Sequence, residues 1–134
     1  MEVIVLDTNI WISYLLSRKY HVLTAKIIDN NLDIVTCNNL IKEIGDVLKR
    51  EKFRMLISKK DISEAINIHI KLCRIVEVQL KSDFLTDKKD NYLIDFYLAS
   101  HATMLVTGDK QLLKQAQESG FNALTLSQFE TKIA

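Results

Sequence analysis

The stretch Val3-Ile4-Val5-Leu6-Asp7-Thr8-Asn9 constrains the fold more than any other part of this 134-residue chain. Four consecutive apolar residues, three of them β-branched, predict a short strand buried on both faces. That pattern belongs to the centre of a parallel sheet rather than to an edge. The run stops at an acid, a hydroxyl and an amide. Ile10-Trp11-Ile12 and Leu15-Leu16 then predict a helix, capped by Thr8 or Asn9 through its side-chain oxygen. A carboxylate at the C-terminal end of a central parallel strand faces the crevice where open α/β sheets bind ligands. Asp7 is therefore the first candidate functional residue.

The remaining chain repeats the alternation of strand and helix. His21 to Asn30 predicts a helix, Asp33-Ile34-Val35-Thr36 a strand, and Leu40, Ile41, Ile44, Val47 and Leu48 the apolar stripe of a helix capped by Asn38 or Asn39. Glu43 falls at the border of that stripe. Lys49-Arg50-Glu51-Lys52 with Arg54 forms a basic cluster at the helix end, read equally well as a solvated face or as a phosphate contact. Ser63 to Cys73 predicts a further helix, and its His69, with no partner at metal-ligand spacing, reads as a structural histidine. Arg74 to Val78 predicts a partly buried strand. Lys81 to Lys89 is polar and reads as a loop. Asp87-Lys88-Lys89-Asp90 opens a helix to Ala99 that is apolar almost all round, hence largely buried. Met104-Leu105-Val106 is a second short apolar strand, followed by Thr107-Gly108-Asp109 and a helix ending near Gly120, the expected C′ residue. Ala123 to Leu126 predicts a last strand, with Ser127 capping a terminal turn. The order implies a parallel sheet with helices on both faces, in a single α/β domain spanning residues 1–134.

Composition narrows the class more than the function. Apolar residues make up 48% and charged residues 26%, a globular balance, and the net charge of +1 singles out no partner. No apolar run approaches the length of a membrane span, so no membrane association is expected. Met1-Glu2 precedes the first strand without a leader-like segment, and Cys37 and Cys73 lie far apart, as expected of unpaired thiols in a reducing compartment. The cytoplasm is the expected location.

Four acids stand where chemistry could be done: Asp7 after one buried strand, Asp109 after another, Asp90 in the first turn of a buried helix, and Glu43 at the edge of an apolar face. Singly, each has a structural explanation as cap, turn former or boundary residue. Together they are costly, since carboxylates about 4 Å apart repel by roughly 4 kcal/mol at an effective dielectric near 20. A divalent cation offsets that cost, and oxygen-only ligands suit Mg²⁺ or Mn²⁺ rather than zinc. Such an ion polarises a phosphodiester and lowers the pKa of a water. Competing constellations fail: the chain has no GxSxG, P-loop or GxGxxG. A DxD phosphatase motif would need an acid where Asn9 stands.

In ordered combination, Val5-Leu6-Asp7-Thr8-Asn9, Glu43, Asp87-Lys88-Lys89-Asp90-Asn91 and Leu105-Val106-Thr107-Gly108-Asp109-Lys110 resemble the PIN-domain family, specifically its branch of toxins from toxin–antitoxin systems. The resemblance implies a three-layer α/β/α sandwich with a parallel five-stranded sheet. It implies a Mg²⁺- or Mn²⁺-dependent endoribonuclease leaving a 5′-phosphate and a 3′-hydroxyl. Asp7, Glu43, Asp90 and Asp109 match the family's acidic quartet, with metal expected on Asp7, Asp90 and Asp109. Asn9 and Thr107 match residues that orient those carboxylates. Where the family commonly has Arg-Asp-Pro, this chain has Thr86-Asp87-Lys88, which makes Asp87 a candidate substitute for, or helper of, Asp90. A small cognate antitoxin, an RNA substrate and a homodimer are also implied. The alternative is a catalytically inactive PIN-like module that binds RNA or protein.

Overall fold

The computed structural model describes residues 2–79 and 91–134. Asp87 and Asp90 lie outside the described residues.

Strands β1 (Val3–Leu6), β2 (Asp33–Thr36), β3 (Arg74–Ile75), β4 (Met104–Val106) and β5 (Ala123–Leu124) form one sheet in the order β3-β2-β1-β4-β5. Every pairing in it is parallel. The sequence reason is visible in β1 and β4: Ile4, Val5, Leu6, Met104, Leu105 and Val106 are all essentially inaccessible to solvent. Only strands covered on both faces bury every side chain. Each such residue contributes about 1.5–3 kcal/mol of transfer free energy, which makes these two strands the centre of the core.

The helices are α1 (Thr8–Leu16), α2 (Tyr20–Asp29), α3 (Asn38–Leu48), α4 (Glu51–Arg54), α5 (Lys59–Leu72), α6 (Asn91–Ala99), α7 (Lys110–Glu118) and α8 (Leu126–Lys132). The chain steps from β1 out to β3, then returns past β1 to β4 and β5. Right-handed crossovers in opposite directions put α1–α5 on one face of the sheet and α6–α7 on the other. The packing of α1 on α2 and α3, and of α3 on α5, agrees with this. So does the edge-on contact of Tyr97 with Phe121, with ring centroids 5.2 Å apart. The result is a three-layer α/β/α sandwich. The direction of strand order reverses between β1 and β4, so the ligand crevice of such a sheet opens where Asp7 and Thr107 leave it. No helix among the described residues is long and apolar enough to cross a membrane.

The structure moves several expected boundaries. Asp7, not Thr8 or Asn9, is the N-cap of α1, its carboxylate accepting from Thr8 N–H at 2.7 Å. Likewise Cys37, not an asparagine, precedes α3, and it makes no side-chain cap bond. Helix α5 starts at Lys59 rather than Ser63, because Ser58 accepts from Asp61 N–H and nucleates an earlier turn. The basic cluster includes a helix of its own, α4, that was not anticipated. At the C-terminus Thr125 and Gln128 form a capping box, so the chain turns helical at Leu126 and β5 ends at Leu124. Strand β3 is likewise shorter than the apolar run 74–78 suggests. Gly120 does hold the expected C′ position with φ +87°, its N–H reaching Gln117 O while Phe121 N–H reaches Ala116 O. Those two bonds are a Schellman motif. Cys37 and Cys73 are free and buried. His69 is a core histidine, 2.7 Å from Thr36 Oγ1 and edge-on to Trp11.

Candidate active site

The backbone of β1 and β4 places the first two site residues side by side. Leu6 pairs with Val106, and Asp7 N–H donates to Val106 O at 2.9 Å, so the chain leaves both strands at the same level. One residue further on, the Thr107 hydroxyl donates to Asp7 Oδ2 at 2.7 Å. The same hydroxyl accepts from Asp109 N–H at 3.1 Å. Thr107 thus connects the two strand-end acids through one oxygen, and it is buried. Across the gap, Asn9 Oδ1 accepts from Gly108 N–H at 3.2 Å. Asn9 therefore ties the two loops together by holding backbone, whereas Thr107 holds a carboxylate.

Asp7 is only 6% exposed, yet no cation pairs with it among the described residues. Its pKa is raised to about 6. Desolvation is the largest cause; the bonds from Thr107 and Thr8 N–H partly offset it, and the charges of Glu43 and Asp109 add to it. Three of the expected acids thus share one electrostatic environment. Asp109 caps α7, with Oδ1 accepting from Gln111 and Leu112 N–H, while its other oxygen is not engaged in that cap. Glu43 projects from α3, and Tyr92 on α6 donates to its Oε2 at 2.6 Å. Burial, then the Glu43 carboxylate, push the Tyr92 phenol far above its ordinary pKa, so it remains a donor. The buried Thr8 hydroxyl stands beside that phenol without forming a bond of acceptable geometry. It has no other partner among the described residues.

Asp7, Thr8, Asn9, Glu43 and Asp109 line one cleft of about 430 Å³, together with Arg50, Lys52 and Phe53. Asp90 and Asp87 lie outside the described residues, so their relation to the cleft is not part of this geometry. Among the described residues no group of three His, Cys, Asp or Glu side chains is disposed to hold a metal ion. The donor chemistry nonetheless fits a hard divalent cation: carboxylate oxygens only, with a lone pair left on each Asp7 oxygen beyond its single accepted bond. Tyr92 escaped the sequence reading. Its signal was a phenol on an otherwise apolar, buried helix, where a hydroxyl needs a partner.

The profile of the PIN domain matches residues 3–111. The chain belongs to the PIN-domain family. PIN domains are generally nucleases and typically depend on divalent metal. The architecture is similar to PAE2754 from Pyrobaculum aerophilum, with a TM-score of 0.70 at 16% identity over 98% of this chain and 89% of that one. It is also similar to a chain of the VapBC2 complex from Rickettsia felis, solved bound to a DNA fragment from its promoter. There the TM-score is 0.64 at 14% identity, over 92% and 98% of the two chains. At these identities the likeness is one of fold. No curated protein matches the chain.

Within this PIN domain, Thr107 is the residue whose loss is easiest to read. Thr107→Val keeps the shape but leaves Asp7 Oδ2 and Asp109 N–H without their shared partner. A buried polar group left unpaired costs about 1–3 kcal/mol. Urea unfolding should show a loss of that size. The Asp7 titration, followed by carboxyl NMR, should move further upward, because the bond that favours the charged form is gone.

Proposed function

We propose that this PIN domain is a Mg²⁺- or Mn²⁺-dependent endoribonuclease and the toxin of a toxin–antitoxin pair. The observation that carries the reading is the convergence of Asp7, Glu43 and Asp109 on one cleft at the switch point of the sheet, with Asp7 held at raised proton affinity by burial and by the other two. Such a site is costly in the absence of a cation, and family membership gives that cost a use. On this reading Asp7, Asp90 and Asp109 hold the ion, with Glu43 completing the shell or orienting the attacking water. When bound, the ion supplies Lewis-acid polarisation of the phosphodiester and a lowered pKa for water.

The chain's own part is positioning. Thr8 N–H and the Thr107 hydroxyl take one lone pair from each oxygen of Asp7 and fix the carboxylate plane. The α7 cap fixes Asp109 in the same way, and Tyr92 fixes Glu43. Burial of Asp7 keeps bulk water from competing for the remaining lone pairs. Asp87 assists Asp90 on this reading.

Incubating the purified protein with single-stranded RNA in Mn²⁺, with and without EDTA, tests the proposal. Cleavage should appear only with metal and leave 5′-phosphate ends. Cleavage that survives EDTA would overturn the mechanism. A second reading, a catalytically inactive module binding RNA or protein, draws support from the structural duties of two acids: Asp7 and Asp109 both cap helices. Calorimetric titration with Mn²⁺ separates the two, since a module predicts no metal binding.

The partner reading follows from the same cleft. A small antitoxin would lay an extended or helical segment over it and present an Arg or Lys to the acids, because a cation there relieves the same repulsion as the metal. The VapBC2 complex, as a toxin–antitoxin assembly of similar fold, supports this. Homodimerisation and a cytoplasmic location belong to the same proposal.

A further inference from the structure

The cleft that holds the acids also holds two cations that no step above employs. Arg50 is the N-cap residue of α4 and Lys52 lies in its first turn; both line the cleft with Asp7, Glu43 and Asp109. Their backbone is fixed: Arg50 N–H donates to Val47 O at 3.1 Å, and Phe53 N–H donates to Arg50 O at 2.9 Å. The Lys52 ammonium sits 4.9 Å from the centroid of the Phe53 ring, a cation–π contact that holds its charge at the cleft wall. Both side chains are exposed, and among the described residues neither forms an ion pair, although carboxylates line the same cleft. Lys49 is adjacent in the chain but lines a different cavity, with Lys59.

Two cations that share a cleft with carboxylates without pairing to them suit an anion that must reach those carboxylates. We propose that Arg50 and Lys52 form a phosphate track that seats the phosphates flanking the scissile bond of a single-stranded RNA. This rests on the nuclease reading above. A single strand suits the site because Asp7 is nearly buried, and a flexible strand bends a phosphate toward it more readily than a stiff duplex does. Basic side chains beside an aromatic ring are also the pairing that holds single strands without sequence preference.

The test measures binding of a short fluorescein-labelled single-stranded RNA by anisotropy across a KCl series. It is done in the Asp7→Asn background, so that binding is read without turnover. Adding Arg50→Gln with Lys52→Gln should weaken binding roughly tenfold and reduce the slope of log affinity against log salt by about 1.4, the value for two lost phosphate contacts. In the wild-type background the same pair should raise KM by a similar factor and leave kcat within about twofold, the signature of lost uniform binding. Lys49→Gln with Lys59→Gln, which removes equal charge elsewhere, should change neither. An unchanged slope in the Arg50/Lys52 variant overturns the track even when the wild type cleaves RNA. Equal weakening in both double variants overturns it as well, by reducing the effect to net charge. Weakening confined to Arg50 and Lys52, in a protein that binds RNA but never cleaves it, keeps the track and rejects the nuclease.

Discussion

Asp7→Asn should lose RNA cleavage by about a thousandfold or more while raising the stability of the metal-free protein. The two effects share one cause. As a proposed ligand, Asp7 supplies the charge that holds a cation whose action is worth several kcal/mol, and three decades of rate correspond to about 4 kcal/mol. Without the cation the same charge is a burden. Its folded pKa of about 6, against 3.8 when unperturbed, corresponds to about 3 kcal/mol of destabilisation at pH 8. Asparagine caps a helix as well as aspartate does and still accepts from Thr8 N–H. The Thr107 hydroxyl must turn to accept from the new amide while keeping Asp109 N–H, which takes back part of the gain. A net rise on the order of 2 kcal/mol is the expected result. Thermal melts in EDTA at pH 8 should show the variant several degrees above the wild type. Saturating Mn²⁺ should then stabilise the wild type by mass action and the variant far less. A variant less stable than wild type in EDTA, with an equal Mn²⁺ shift, would reduce Asp7 to a helix cap.

The stability of the metal-free protein should change little between pH 6.5 and 4, because two buried groups oppose each other there. Asp7 has a raised folded pKa, so its stabilising effect is fully present below 3.8 and lost as pH rises through about 6. His69 has a folded pKa lowered to about 4 by burial, so the folded state resists its protonation. Its contribution is present above 6.5 and lost as pH falls through that same interval. Each amounts to about 3 kcal/mol over the window, with opposite sign. Single variants should expose the hidden slopes. Asp7→Asn should become markedly acid-sensitive below pH 6.5, with the His69 term unopposed. His69→Gln should instead grow more stable as pH falls from 6 to 4, relative to its own value at pH 7. Urea midpoints at closely spaced pH values measure both. Parallel profiles for wild type and Asp7→Asn would mean that the Asp7 carboxyl titrates as though exposed.

The two buried strands at the centre of the sheet, β1 and β4, were legible because burial on both faces leaves a local mark: a short, uninterrupted apolar run that stops at a polar residue. The acids that follow them, Asp7 and Asp109, were legible for the same reason, since parallel topology alone carries strand ends to one crevice. Glu43 showed itself through its position on the border of an apolar stripe. Where the structure departs from the apolar pattern, the deciding interaction is a local capping hydrogen bond. The earlier start of α5 rests on Ser58, the start of α8 on Thr125 with Gln128, and the cap of α1 on Asp7 itself. Each is a capping residue by type, and neighbouring polar residues offered the same role at other positions.

What the sequence determined by itself is the parallel frame and the places along it of Asp7, Glu43 and Asp109, because these follow from local pattern and chain order. The tertiary structure alone decided which groups meet across that frame. Thr107 reaches Asp7 over a separation of 100 residues, Tyr92 reaches Glu43 over 49, and Arg50 and Lys52 share a cleft with both acids. No local pattern records such contacts. They arise when the reversal of strand order brings α3, α4 and α6 around the ends of β1 and β4, and from that meeting Asp7 acquires its burial, its partners and its raised proton affinity.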